Sequence, residues 1–210
     1  MNNEKRNFDK EATSWDAKPA RVRLVKDIAL AIAEEIKLTK SMDVLDFGCG
    51  TGLLTMHLQP LVHYITGVDS SQGMLNVLRE KVQDQNLSNV KTRCLDVEKD
   101  GVLEGSYNLI VSSMTLHHIK EISNLLTQFY NVLLPAGHLC IADLDVDDGQ
   151  FHENNEGVFH SGFDRERLVS MISEAGFRDV RCRSAAILSK PVAGGGSREF
   201  TIFLITGCKE

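Results

Sequence analysis

The 210 residues carry 23 Lys and Arg against 29 Asp and Glu, a net charge of −6, with 42% hydrophobic residues, 25% charged residues and four prolines. A chain of this length buries about 70% of its unfolded surface without disulfide or metal staples, and its composition excludes collagen, coiled coil and wholesale disorder. The basic residues are scattered and form no patch, which argues against a nucleic-acid backbone as partner.

Residues 1–18 are polar around isolated Phe8 and Trp15, and the start at Met1, Asn2, Asn3 and Glu4 lacks the apolar core of a signal peptide. Pro19 opens a helix over 19–37, with Val22, Val25, Ile28, Ala29, Ile32 and Ile36 at helical spacing and proline at its tolerated first position. Residues 42–48 (MDVLDFG) read as a buried strand, 51–58 as a helix and 64–68 as a strand. A helix over 71–85 follows, then strands over 90–95 and 108–114, a helix over 122–134 and a strand over 137–144. A helix over 165–175 precedes strands over 180–188 and 199–206.

Strands that alternate with helices imply a parallel sheet covered on both faces. Only residues 189–197, with Gly194, Gly195 and Gly196, separate the last two strands, which is too short for a crossover helix and suits a hairpin. The expected fold is therefore α/β, a Rossmann-like doubly wound seven-stranded sheet, mostly parallel with an antiparallel last strand. The uncharged stretch 122–142 contains Asn124, Gln128, Asn131, Pro135 and His138, so it is no transmembrane helix. Cysteines at 49, 94, 140, 182 and 208 form no close pair, as expected of reduced thiols in a cytoplasmic protein.

Chemistry concentrates after the first strand, in Val44-Leu45-Asp46-Phe47-Gly48-Cys49-Gly50-Thr51-Gly52. Glycines there let a ligand approach the backbone, and the next helix presents free N–H groups. The spacing is GxGxG, neither the dinucleotide GxGxxG nor the triphosphate GxxxxGK, and a plain tight turn is the alternative. Asp69 follows Gly48 by 21 residues at the end of the next strand, where a carboxylate can accept both ribose hydroxyls.

From about Met42 to Lys209 the chain resembles the class I S-adenosylmethionine-dependent methyltransferases, nearest to the ubiquinone-biosynthesis-like and type 11 or 12 group. VLDFGCGTG is similar to that family's first motif, GVDSSQGML (67–75) to the second-strand motif, and CLDV (94–97) to the third. YNLIVSSMTLHHI (107–119) and LLPAGHLCIAD (133–143) are similar to the fourth and fifth. The resemblance implies a single domain, with 1–40 as lid and helix and 41–210 as the methyltransferase domain. S-Adenosyl-L-methionine would be the cofactor and S-adenosyl-L-homocysteine the product.

Under that resemblance Gly48, Cys49, Gly50 and Gly52 shape the loop under the cofactor, Asp46 complements its ammonium, and Asp69 with Ser70 holds the ribose. Met74 covers the adenine, Asp96 accepts from its amino group with Val97 beside it, and Ser112 and Ser113 line the floor. An N-cap is the alternative for Asp96. The reaction is an in-line methyl displacement, with His118 as candidate base and His117 behind it, or a histidine pair that is merely structural.

The fourth-strand segment Ser112-Ser113-Met114-Thr115 lacks the Asn/Asp-Pro-Pro of amino-group methylation, and no proline precedes a cysteine as cytosine carbon methylation requires. A small-molecule acceptor is expected, with neither nucleic acid nor membrane as partner, in a monomer or homodimer. A catalytically weak cofactor-binding regulatory module, or a protein or RNA methyltransferase acting with a partner subunit, are the rival readings. The segment from Phe8 to Trp15 resembles the lid of small-molecule members, and 145–162 is a second lid. Trp15, His152 and His160 are substrate-site candidates. Asp143, Asp145 and Asp147 start like a calcium loop, but Asp148 and Asn154 occupy its glycine and glutamate positions. His152 and His160 with Asp147 or Asp148 have the chemistry of transition-metal ligands, but the preferred reading is a solvated loop, and no metal is expected.

Overall fold

The structure, a computed structural model, describes residues 6–99, 101–191 and 195–210; the polar start at 1–4 and Gly194 lie outside them. Strands β1 (Asp43–Phe47), β2 (Tyr64–Asp69), β3 (Val90–Cys94), β4 (Tyr107–Ser113), β5 (Leu133–Leu144), β6 (Arg178–Pro191) and β7 (Ser197–Cys208) form one sheet in the order β3-β2-β1-β4-β5-β7-β6. The first five are parallel, and β7 runs antiparallel to both β5 and β6. The expected antiparallel final strand is thus present, inserted between β5 and β6.

Helices α1 (Pro19–Glu35), α2 (Leu53–Leu58) and α3 (Gln72–Asp84) pack on one face, and α4 (Ile122–Val132) and α5 (Arg165–Glu174) on the other. The pleat of β1 shows the division: Val44 joins the α1–α2 cluster while Leu45 and Phe47 join the α4–α5 cluster. Asp46 shares the face of Val44, and its neighbour there is Thr55 of α2. In α1, Leu24, Ile28 and Ile32 are buried at helical spacing, each worth about 1.5–3 kcal/mol of removed apolar surface.

Several boundaries differ from the periodicity, three of them with a clear local cause. α1 stops at Glu35 because Ile36 turns extended and buries its side chain. α2 starts at Leu53, since the glycine loop before it holds left-handed backbone at Gly48, Gly50 and Gly52. β5 begins at Leu133, where pairing with Tyr107 continues the end of α4 directly into the sheet. Residue Asp100 aside, the stretch 95–106 between β3 and β4 holds no helix. β1 lies between β2 and β4, the position at which strand order reverses, and a crevice forms outside its carboxyl end. Among the described residues no helix is long and apolar enough to cross a membrane.

Candidate active site

Just past β1 the amides of Gly48 and Cys49 both donate to the Val68 carbonyl, at 2.7 and 3.1 Å, and fold the glycine loop over the end of β2. A Cβ on Gly48 would lie 2.2 Å from Thr115, whereas one on Gly50 would meet nothing within 4 Å. Gly48 therefore permits packing, and Gly50 borders open space. The Asp69 carboxylate joins the loop to α3: Oδ2 accepts from Gly50 N at 2.8 Å and Oδ1 from Ser71 N at 2.8 Å. Burial raises the Asp69 carboxyl above its usual range despite these donors.

Asp46 is 1% exposed and accepts one bond from Thr55 Oγ1 at 2.5 Å. Burial pushes its carboxyl up to about 7. Among the described residues its donors are the neutral hydroxyl and amide of Thr55, which compensate a buried carboxylate poorly, and a positively charged ligand group beside it restores the balance.

Both residues line a cavity of about 640 Å³, within the range that holds a cofactor with a small substrate. Of the residues named from sequence, Trp15, Gly48, Cys49, Gly50, Ser70, Met74, Asp96, Val97, Ser113, His117, His118 and His152 line it as well. Cys49 contributes backbone, since its thiol packs with Leu75 and Leu78 and burial pushes it well up. Asp96 Oδ1 accepts from Glu98 N at 3.1 Å, which turns the chain beyond β3.

Gly52, Ser112 and His160 do not line the cavity. A Cβ on Gly52 would lie 2.3 Å from Leu78, so this glycine seats α2 against α3. Ser112 alternates with Ser113 on the strand; it is buried with its hydroxyl unpartnered, on the side opposite the cavity. His160 is drawn away: its Nε2 lies 2.9 Å from the Ile119 carbonyl and its ring packs on Phe163. The pairing of His152 with His160 is not formed, and Asp148 instead faces Arg198 at 3.2 Å.

His152 meets His117 and His118, with ring centroids 5.0 and 5.5 Å away, while the latter two are 4.2 Å apart. The left-handed backbone of Met114 turns the chain after β4 and carries the 3-10 turn Leu116–His118 over the strand ends. Asp143 on β5 holds His117, Oδ1 to Nδ1 at 2.6 Å, with both side chains buried. Burial favours the neutral acid at Asp143, but the His117 ring and the Leu144 amide outweigh it and keep the carboxyl below its usual range. His118 donates from Nδ1 to the Gly157 carbonyl at 2.7 Å. Burial, aided by repulsion from His117, lowers both His118 and His152 to about 3, so both rings are neutral at pH 7.

The N-terminal segment closes the cavity as two 3-10 turns, Phe8–Lys10 and Ala12–Ala17. Asp9 accepts from Ser71 Oγ at 2.6 Å and Gly73 N at 2.7 Å, and Asp16 accepts from Thr51 Oγ1 at 2.6 Å and Lys81 Nζ at 2.5 Å. Both aspartates thus clamp elements that border the crevice. Phe8 stacks edge-on against Trp15 and His118, and the Arg21 guanidinium lies 3.6 Å from the Trp15 ring. Arg6, Lys18, Arg21 and Lys190 were not legible as site residues, because they come from two ends of the chain that only folding brings together. Asp143 was visible only within the fifth-strand motif and as the first aspartate of the calcium-loop-like start.

The family model described as a methyltransferase domain matches residues 44–137. In sequence and fold the chain is similar to the class I S-adenosylmethionine-dependent methyltransferases. An uncharacterised methyltransferase of Schizosaccharomyces pombe is 29% identical to this chain over 188 residues, 82% of it and 64% of the relative. The chain thus spans less than two thirds of that curated relative's length. The YcgJ protein of Bacillus subtilis superposes with a TM-score of 0.72 at 16% identity, over 88% of this chain and 98% of that one. Phosphoethanolamine N-methyltransferase 2 of Haemonchus contortus, solved with phosphomonomethylethanolamine and S-adenosylhomocysteine, superposes at 0.69 and 16% identity, over 86% of this chain and 52% of that one. At such identities the structural likeness speaks for the fold.

Proposed function

We propose that the chain transfers a methyl group from S-adenosylmethionine to a small acceptor that carries negative charge. The observation that carries this reading is the pair Asp46 and Asp69 at the ends of β1 and β2, in a cavity whose floor is left open at Gly50. Asp46 suits a cationic ammonium, Asp69 suits a diol, and Met74 and Val97 suit the faces of an adenine. When bound, the cofactor supplies a sulfonium-activated methyl whose transfer leaves a neutral thioether. The protein's part is to orient the acceptor and exclude water, and the lid residues 1–40 do so over the domain 41–210.

Past the cofactor portion, the cavity continues between Trp15 and the three histidines. Four cations, Arg6, Lys18, Arg21 and Lys190, contribute to its wall, opposed there by Glu11 and Glu153. Arg6 is already paired with Glu11 at 2.6 Å, which leaves Lys18, Arg21 and Lys190 to favour an anion. This continuation favours an enzyme over a cofactor-binding regulatory module. A cytoplasmic monomer or homodimer acting without nucleic acid, membrane or partner subunit completes the reading.

The test is calorimetry with S-adenosylmethionine and S-adenosylhomocysteine. Binding at tens of micromolar or tighter is expected, and absence of binding by both overturns the proposal. A screen of anionic metabolites for S-adenosylhomocysteine release then identifies the acceptor.

A further inference from the structure

We propose that His117, His118 and His152 form a three-nitrogen site for a divalent transition-metal ion, zinc by its ligand chemistry, at the acceptor end of the cavity. One ring nitrogen from each lies within 4.8 Å of the other two. In His117 and His118 the Nδ1 atoms are already engaged, by the Asp143 carboxylate at 2.6 Å and the Gly157 carbonyl at 2.7 Å. The nitrogen left in each is Nε2, so these two outer contacts fix the tautomer that offers a lone pair. A carboxylate or carbonyl behind a ligating imidazole is the arrangement that metal sites use to orient their ligands.

The inner nitrogens show the need for an occupant. His117 is 1% exposed and its Nε2 is buried without a hydrogen-bond partner, and the Nε2 of His152 is buried and unpartnered too. A buried ring nitrogen without a partner carries its desolvation cost uncompensated. A cation among the three removes that cost. Phe8 and Phe151 lie edge-on against His118 and His152, at 5.1 and 4.9 Å between centroids, and shield that side from water.

Three imidazole ligands leave a fourth tetrahedral position, the form of catalytic rather than structural zinc. All three rings line the same cavity as Asp46 and Asp69. Resting on the methyl-transfer reading, the ion's role is to bind an oxygen or sulfur of the acceptor and lower its pKa, so that its proton passes to solvent. The acceptor's electron pair then forms the bond to the methyl carbon, the carbon–sulfur bond of the sulfonium breaks, and sulfur retains that pair. The ion also ties the loop carrying His152 to the turn carrying His117 and His118.

The experiment titrates the chelator-stripped full chain with Co²⁺, followed by its visible absorption and then by Zn²⁺ competition, with S-adenosylhomocysteine calorimetry in parallel. One equivalent of cobalt with tetrahedral-type absorption is expected. His152→Ala, a change in a half-buried loop residue, should weaken cobalt binding at least a hundredfold. Asp143→Asn should weaken it about ten- to a hundredfold, and His160→Ala, outside the cluster, should leave it unchanged. Substoichiometric cobalt, or equal affinity in wild type and His152→Ala, overturns the metal site. S-Adenosylhomocysteine binding without cobalt binding refutes the site alone; cobalt binding without S-adenosylhomocysteine binding refutes the methyl-transfer reading instead.

Discussion

The Asp143 carboxylate lies 2.6 Å from Nδ1 of His117, both side chains within 1% of full burial, although 26 residues separate them. This contact assigns the proton of His117 to Nδ1 and leaves Nε2 as an acceptor. Asp143→Asn replaces the carboxylate by an amide whose NH₂ can donate to Nδ1 and move the ring proton to Nε2. A drop in turnover of about a hundredfold or more is expected, with cofactor affinity within threefold of wild type. Nitrogen chemical shifts of His117 check the tautomer without any acceptor; an unchanged tautomer in the variant contradicts the assignment.

Asp69 is the clamp between the glycine loop and α3, through Gly50 N and Ser71 N. Removal of its carboxylate by Asp69→Ala frees the loop and deletes the ribose acceptor together. Each charge-assisted bond contributes about 1.5–3 kcal/mol, so cofactor affinity should fall ten- to a hundredfold or more. Calorimetry that shows wild-type affinity in this variant refutes the assignment.

Under the proposed function, Asp46 makes cofactor binding depend on pH. Its carboxyl is raised by burial to about 7 in the folded chain, against 3.8 when unfolded, so folding favours the protonated form. That contribution is complete below about 3.8 and is lost as pH rises through about 7. A cationic ammonium requires the carboxylate, so binding below pH 7 releases a proton. Affinity should therefore rise from pH 6 to 7, level off, and decline where the cofactor amino group deprotonates near 8. Calorimetry in two buffers of different ionisation enthalpy measures the proton count, and Asp46→Asn should abolish the rise.

The lid is held by Asp16, which accepts from Thr51 Oγ1 and from Lys81 Nζ. Asp16→Ala should speed cofactor release about tenfold and raise amide exchange in residues 8–17, with the core unaffected. Stopped-flow displacement and hydrogen exchange report the two effects separately. Equal exchange in the two proteins means that the segment is held by its aromatic contacts.

Gly48 combines φ of +71° with a Cβ position 2.2 Å from Thr115. Gly48→Ala should lower the thermal midpoint by several degrees, from about 1–3 kcal/mol of backbone strain plus the clash. Gly50→Ala, with φ +54° and no neighbour within 4 Å, carries the strain alone and should cost less stability. Its methyl borders the cavity, so cofactor affinity is the property it should lower.

The order of elements, the seven strands, the antiparallel ending and the cofactor loop were legible in the sequence because each is written locally. Apolar runs, a helical period in α1 and glycines at alternate positions depend on residues a few steps apart. Asp46 and Asp69 were legible for the same reason, since each ends its own strand. Ser112 and Ser113 were not separable, because the choice between them rests on the pleat direction of β4 relative to the cavity. The histidines depended wholly on tertiary structure. His152 and His160 are eight residues apart in one loop, yet the backbone pairing of Phe159 N and His160 N with the His117 carbonyl turns them to opposite sides. His152 meets His117 and His118, while His160 packs on Phe163. Sequence thus determined the glycine loop and the strand-end carboxylates of the cavity, and only the fold decided its histidine end. That end is assembled from the N-terminal segment, the turn after β4, β5 and the loop after it, whose proximity is a property of the sheet order rather than of any one segment.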